Sequence, residues 1–587
     1  MAGSDITPGS APVMLQLTPG LSAGLAFASS QMKSGALSVF DTQLGALYLQ
    51  SDSAARQGFD TATKASTHMA DDIATGDLPS SVNILEDFAG GTDEGRAMAQ
   101  LVHDIAPGAA IDFATAEGGE AHFAQNILAL AAAGATVIVD DVLYYEELAY
   151  QEGPIAQAID QVAAQGVSYF SSAGNDASGS KATGYEGAWV AGATYTGGGE
   201  TTTLMNFAPG QDYIPVTLAN QETLVLQWAN PGASAGGPGA TADLDLFVTN
   251  QDGSVVRFFS ETNNIGGDPV ESLSLTGGAG QTYYVRVGLV SGPAPSEIKL
   301  MALADGGSVS FTSPPSNTNI GTFYGHAAAA GAIAVGAASF LSTPQFGVNP
   351  PAAEGYSSGG PDKFLFDPSG NVLATPINRI PTFTAVDGGN TTFFGHDIAG
   401  DADSLPNFFG TSAAAPDAAA VAALILQARS GLSPAEISTL LQDSSTDMAT
   451  PGIDNRTGTG LINANLAVGY AQTLNITSSQ AVITGTHLSD VITATGAASV
   501  SGGDGDDTLI GSTGNDTLDG GAGTNTASYA SANAAVTVSL ALTGVQTTGG
   551  GGHDLLVNIQ NLTGSAFNDT LQGTTGDNVL DGAGALE

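Results

Sequence analysis

Between residues 485 and 525 the chain repeats itself every nine residues, and few architectures tolerate such a period. One unit reads Gly502-Gly503-Asp504-Gly505-Asp506-Asp507-Thr508-Leu509-Ile510, and the next Gly511-Ser512-Thr513-Gly514-Asn515-Asp516-Thr517-Leu518-Asp519. An earlier unit opens at Gly485, with Asp490 sixth and Ile492 eighth; a degenerate one opens at Gly520, with Asn525 in the acid's place. After a strand-rich spacer (526–563) the period resumes at Gly564, with Asp569 and Leu571, and at Gly573, with Asn578 and Leu580. The glycines permit a tight turn with inward carbonyls, the sixth-position Asp supplies a hard oxygen, and the eighth-position apolar residue packs inside. A flexible Gly/Asp linker has no reason to hold Leu509, Leu518, Leu571 and Leu580 at one phase. The pattern predicts a parallel β-roll over 473–587, binding Ca2+ through Asp490, Asp504, Asp507, Asp516 and Asp569. Without the ion, facing carboxylates repel and the roll should loosen.

Charge limits the partners. Lys and Arg together number 12 against 57 Asp and Glu, a formal charge of −45. Such an excess repels phosphate backbones, so nucleic acid and anionic membrane surfaces are poor partners, and no nucleic acid is expected. Charged residues make up 12% and hydrophobic ones 42%, which excludes a wholly disordered acidic chain. Cysteine is absent, so thiol catalysis, thiolate metal sites and disulfides are excluded as well. No apolar run approaches the ~20 residues of a membrane span, and no membrane insertion is expected. The opening residues MAGSDITPGSAPVML show no basic segment ahead of an apolar run, so export would draw on a signal elsewhere.

The rest of the chain divides by texture. Residues 1–80 read as a partly helical lead-in. From 81 to 200 short apolar strands (81–87, 109–115, 136–141, 167–172) alternate with helices (93–109, 121–133, 154–166). This rhythm predicts an α/β unit with a parallel sheet, whose active groups gather at the carboxyl ends of strands. Between 201 and 310 only alternating strands with Gly, Pro and Asn turns appear, predicting an inserted antiparallel β-sandwich. The α/β texture returns over 311–472 and includes a long Ala-rich helix from Ala413 and another from Ser433, where Pro434 and Glu436 mark the start.

The chemistry-bearing residues lie at the edges of these elements. Gly410-Thr411-Ser412 opens the Ala-rich helix, so the Ser412 hydroxyl and the adjacent N–H stand at the positive end of a helix dipole. An ordinary serine N-cap would read the same way. Ser171-Ser172-Ala173-Gly174-Asn175-Asp176 follows a strand, where the Asn175 amide can donate to an oxyanion. Asp140-Asp141 ends the strand TVIVDD; adjacent acids are unusual on a buried strand, and a structural cap is the plainer explanation.

With Tyr356-Ser357-Ser358-Gly359-Gly360-Pro361 before Ser412 and Gly460-Leu461-Ile462-Asn463-Ala464 after it, residues 81–200 and 310–470 resemble the subtilisin-like serine proteases (subtilases). The resemblance implies a parallel α/β fold, Ser412 as nucleophile and Asn175 as oxyanion donor. Where subtilases carry a helix-opening His-Gly-Thr, the chain has Asp93-Glu94-Gly95-Arg96, so Glu94 takes the histidine position, a feature similar to sedolisins. The sedolisin partner acid one turn on is missing: Ala97 and Met98 stand there. His103 lies about half a turn round the helix and is read as a helix-end residue. For the third acid, Asp41 in Leu37-Ser38-Val39-Phe40-Asp41-Thr42, Asp52, Asp140 and Asp141 are all candidates, with Asp141 taken as the partner of Glu94. The repeats resemble those of RTX proteins, which implies a secreted, extracellular protein and type I secretion machinery as a partner. The expected activity is a secreted serine endopeptidase acting on protein or peptide substrates, with an optimum below pH 7. The alternative is an inactive pseudo-protease serving calcium-dependent surface binding or adhesion.

Overall fold

Seven strands build the central sheet of the computed structural model: β1 (Ala36–Phe40), β2 (Val82–Glu86), β3 (Ala110–Ala114), β4 (Ala135–Asp140), β5 (Ser168–Ser172), β6 (Ala332–Ser339) and β7 (Phe383–Asp387). The residues described are 36–40, 59–61, 65–88, 92–177, 183–197, 200–217, 221–276, 280–303, 310–311, 321–401, 403–448, 450–473, 475–485 and 490–583. They fall into two units, one within 1–427 and 433–465, the other within 428–432 and 466–587.

In the first unit the strands run in the order β2-β3-β1-β4-β5-β6-β7, and every neighbouring pair is parallel. The sequence reading left residues 1–80 outside the α/β unit, whereas β1 enters the middle of the sheet, with Val39 opposite Phe113 on one side and Val139 on the other. The first unit's helices are α1 (Met69–Thr75), α2 (Glu94–Ile105), α3 (Glu120–Ala133), α4 (Pro154–Ala163), α5 (Thr411–Ala428) and α6 (Pro434–Asp443), while α7 (Ala464–Thr473) belongs mostly to the second unit. Their ends follow local chemistry. Gly134 takes a left-handed φ of 108° and stops α3, and Pro154 opens α4. Ser433 accepts from the Glu436 N–H while Glu436 reaches back to the Ser433 N–H, the reciprocal cap that starts α6.

Phe123, Ile127 and Leu130 of α3 pack with Ile155 and Ile159 of α4 against Ile138 and Tyr169 of the sheet. Full burial of each such side chain contributes about 1.5–3 kcal/mol. Helix α5 is the one helix among the described residues long and apolar enough to cross a membrane, yet 78% of it is buried inside the protein. Its alanines have no side chain beyond Cβ, which lets the backbone sit deep among its neighbours.

The antiparallel insert begins earlier than its composition suggests. The expected boundary at 201 falls inside the strand Glu200–Met205, while Gly184–Ala188 already pairs with Glu297–Leu303. One sheet holds Val270–Thr276, Gln221–Trp228, Glu297–Leu303 and Gly184–Ala188; the other is built on Val256–Ser260, Asp243–Thr249, Thr282–Ser291, Glu200–Met205 and Ala191–Gly197. Alternate residues Leu224, Leu226 and Trp228 face Leu244, Leu246, Val285 and Val287 in a fully buried core. Polar contacts tie the insert to the α/β unit. Gln227 accepts from the Ala149 N–H at 2.7 Å and donates to the Glu147 carbonyl at 2.6 Å. Lys299 meets Asp362 at 2.6 Å with both side chains buried.

In the second unit short parallel strands alternate between two sheets. Ile492, Leu509, Ala527 and Leu562 stack in one, and Val500, Leu518 and Leu556 in the other. Two nine-residue units thus make one coil, and their eighth-position residues fill the interior. The residues read as a spacer belong to it, since Thr526–Ser528 and Asn561–Thr563 pair directly in the first sheet. Leu509 and Leu518 are fully buried, as their phase predicts, but Leu580 is 42% exposed.

Candidate functional site

Two site residues singled out from the sequence, Ser412 and Asn175, meet at the start of α5. Gly410 holds a φ of 124°, a left-handed region that favours glycine, and turns the chain into the helix. Its N–H donates to Asp387 Oδ2 at 2.8 Å, which fixes the turn at the carboxyl end of β7. Tyr356 also donates to that oxygen. The next residue, Thr411, donates its N–H and its hydroxyl to Asn175 Oδ1 at 2.9 and 3.0 Å, and its hydroxyl accepts from the Gly174 N–H at 3.2 Å. Ser412 follows, 7% exposed, on the first turn of the helix. Because Pro416 has no N–H, the Ser412 carbonyl lacks its usual helical partner.

Asn175 therefore has its carbonyl oxygen committed to Thr411, and its NH2 group is the part left to act. That nitrogen lies 3.4 Å from where a Gly410 Cβ would stand, on the approach to Ser412. A serine hydroxyl, a helix N-terminus and an amide donor at one strand edge can together hold a carbonyl and the negative charge that develops on it.

Glu94 opens α2, largely buried, beyond the carboxyl end of β2. Its helix is fixed by a group the sequence reading passed over. Arg96 is fully buried, pairs with Asp72 and, at 3.2 Å, with Asp93, donates to the carbonyls of Phe59 and Thr67, and lies 3.7 Å over the Phe393 ring. Asp93 pays for its place before the helix with a left-handed φ of 57°, held by the Thr61 N–H on Oδ1 and by Arg96 on Oδ2. The helix's single arginine, beside Ala97, Met98 and Ala99, was the available signal. Leu101 and Asp104 of α2 and Asp417 and Val421 of α5 line one cavity, so the helices carrying Glu94 and Ser412 both border it.

The paired acids at the end of β4 part company. Asp140 is fully buried and its Oδ1 receives the Val142 N–H, the Ser171 hydroxyl and His326 Nε2 at 3.0–3.1 Å. His326 Nδ1 meets Glu147 at 2.6 Å. Burial alone would lower the His326 pKa, but the Glu147 and Asp140 carboxylates hold it well above its ordinary value. This histidine is an interior cation, and Asp140 is its counter-ion. Asp141 is buried at the same strand end. Asp41 and Asp52 lie outside the described residues. His103 sits half-buried in the last turn of α2.

In the second unit the repeat acids divide by how fully they are bonded. Asp516 accepts from Ala498 N–H on one oxygen and from Ser512 on the other; Asp569 accepts from Val536 N–H on one and from the Ser565 N–H on the other. Asp507 accepts the Asp490 N–H on Oδ1, while its Oδ2 is buried with no partner. That oxygen would stand 2.1 Å from a Cβ at Gly502, so glycine is required beneath it. Burial, then the nearby charges of Asp490, Asp506 and Asp504, push the Asp507 carboxyl up to about 6. An unsatisfied hard oxygen among other acids fits a calcium ion.

The family comparisons meet this geometry. The model of the Subtilase family matches residues 315–460, the stretch that holds Ser412 and Asp387. Residues 315–460 are thus subtilase-like. The model of the RTX calcium-binding nonapeptide repeat matches residues 493–527 and 562–585 of the second unit, and such repeats bind calcium. The subtilase match does not extend to Glu94, Asp141 or Asn175. No curated protein matches the chain. Among solved structures, the CspB protease of Clostridium perfringens is 11% identical with a TM-score of 0.40, over 75% of this chain and 94% of that one. A lanthipeptide protease is 15% identical with a TM-score of 0.33, over 79% and 99%. Fervidolysin from Fervidobacterium pennivorans, a keratinolytic enzyme, is 14% identical with a TM-score of 0.32, over 77% and 45%.

Proposed function

We propose that this subtilase domain is a secreted serine endopeptidase in which Ser412 attacks a peptide carbonyl and Glu94 takes its proton. The anchoring of the Gly410–Ser412 turn by Asp387 and Asn175 carries the reading, because an ordinary serine cap needs no such bracing. Asn175 Nδ2 and the Ser412 N–H would receive the oxyanion, a contribution of about 10²–10³ in rate for one donor. The third acid is Asp141, with Asp41, next in sequence after the central strand β1, as its competitor. A carboxylate is a weaker base than imidazole at neutral pH, and the optimum falls below pH 7. Calcium, when bound, neutralises the repeat carboxylates, with Asp490, Asp504 and Asp507 as its holders and Asp516 and Asp569 completing neighbouring turns. Extracellular placement and type I secretion machinery accord with the RTX repeats.

Labelling of Ser412 by a fluorophosphonate, together with hydrolysis of casein below pH 7, tests the proposal. Both should vanish in Ser412→Ala, and hydrolysis should collapse in Glu94→Gln. Comparing Asp141→Asn with Asp41→Asn separates the two candidates for the third acid. An unlabelled serine and an inert wild-type chain would mark the fold as a calcium-dependent scaffold without hydrolase activity.

A further inference from the structure

Between α2, α5 and the end of β7 lies a cavity of about 280 Å³ that none of Ser412, Glu94 and Asn175 lines. Leu101, Val421 and Leu461 give it apolar walls, and Asp104, Asp387 and Asp417 are set among them. No Lys, Arg or His lines it. Asp417 is 8% exposed and its Oδ1 is buried without a hydrogen-bond partner. Asp387 is fully buried; its Oδ2 is occupied by Gly410 and Tyr356, and its Oδ1 also lacks a partner. Two orphaned acid oxygens in one apolar chamber are costly, since each has lost its water without gaining a donor. What would satisfy them is a donor with positive charge, and what would satisfy the walls is hydrocarbon.

We infer that this cavity is a binding site for an organic cation, a primary ammonium on an aliphatic or aromatic stem. Its head would donate to Asp417 Oδ1 and Asp387 Oδ1, Asp104 would supply further negative charge, and its stem would lie against Leu101, Val421 and Leu461. A divalent ion suits the chamber less well, because it gathers six to eight oxygens, whereas Asp387 Oδ2 is already occupied and Leu101, Val421 and Leu461 supply hydrocarbon.

Calorimetric titration of the full-length, calcium-loaded Ser412→Ala chain tests this without reading turnover, so its outcome is separate from that of the peptidase proposal. Benzylamine is the probe and benzyl alcohol its neutral counterpart. Saturable benzylamine binding is expected, about ten-fold or more tighter than the alcohol, with a loss of about ten-fold in Asp417→Asn. Should that variant fail to fold, Asp104→Asn at the cavity's more exposed acid should show the loss. Equal affinity for amine and alcohol, no saturable binding, indifference to the substitutions, or displacement of the amine by excess calcium would each overturn the inference.

Discussion

The side-chain oxygen of Asn175 accepts both the N–H and the hydroxyl of Thr411, the residue immediately before Ser412. A backbone N–H can only donate, so this pairing dictates which end of the amide faces Thr411 and leaves the NH2 group for a ligand. The same contact that steadies the turn therefore also aims the donor.

Asn175→Asp keeps the acceptor and removes the donor. It should lower kcat by about 10²–10³ with little change in KM. Steady-state kinetics on a peptide substrate give the answer, and a kcat within a few-fold of wild type would remove Asn175 from the oxyanion role.

Arg96 holds the carboxylates of Asp72 and Asp93 in a fully buried network. Arg96→Met leaves both acids without their cation and should cost about 3–5 kcal/mol of stability. Urea denaturation followed by circular dichroism measures it; a loss below about 1 kcal/mol would mean that the two acids simply take up protons.

Desolvation raises the Asp104 and Asp387 carboxyls to about 7 and holds Asp417 well above its usual range. Because their pKa values are higher folded than unfolded, the native state binds more protons between about pH 4 and pH 7, and stability falls as pH rises through that window. His326 acts in the same direction: its pairing with Glu147 and Asp140 stabilises fully below about pH 6.5, and the gain is lost as pH rises through its elevated folded value. The chain's two tryptophans, Trp189 and Trp228, both lie in the first unit, so their fluorescence reports its melting alone. At saturating calcium the Tm should decline from acidic to neutral pH, and Asp104→Asn should flatten the decline. A Tm that climbs over that range would contradict the assignment.

Calcium removal should act on the other unit. Chelation is expected to lower the melting temperature of the roll, seen by circular dichroism, while the tryptophan signal stays unchanged. Asp507, with its unpartnered oxygen, should matter most: Asp507→Ala should weaken calcium binding roughly ten-fold or more, and Asp569→Ala by less. A larger loss at Asp569 would reverse the order inferred from the hydrogen bonds.

Periodic features were legible in the sequence because each depends on neighbours close along the chain. The nine-residue spacing of Leu509 and Leu518 required a coil interior, the strand–helix rhythm required a parallel sheet, and Ser433 with Glu436 required a helix start. The early start of the insert at Gly184 was hidden because the short strands Gly184–Ala188 and Ala191–Gly197 carry no rhythm of their own. Likewise the spacer looked unlike a repeat, since Ala527 and Leu562 occupy the same interior ladder 562 − 527 = 35 positions apart, against 527 − 509 = 18 for Leu509 and Ala527.

What the sequence determined by itself was therefore the class of each part and the residue types at its turns. Tertiary structure alone decided which acids work together. Asp140 went to His326, which is 186 positions away, Asp387 went to Gly410, and β1 entered the middle of the sheet from a stretch whose sequence shows no strand–helix rhythm. Spacing along the chain fixes local backbone geometry, but the pairing of buried charges is set by which strands become neighbours, and that is settled only when the sheet has closed around its core.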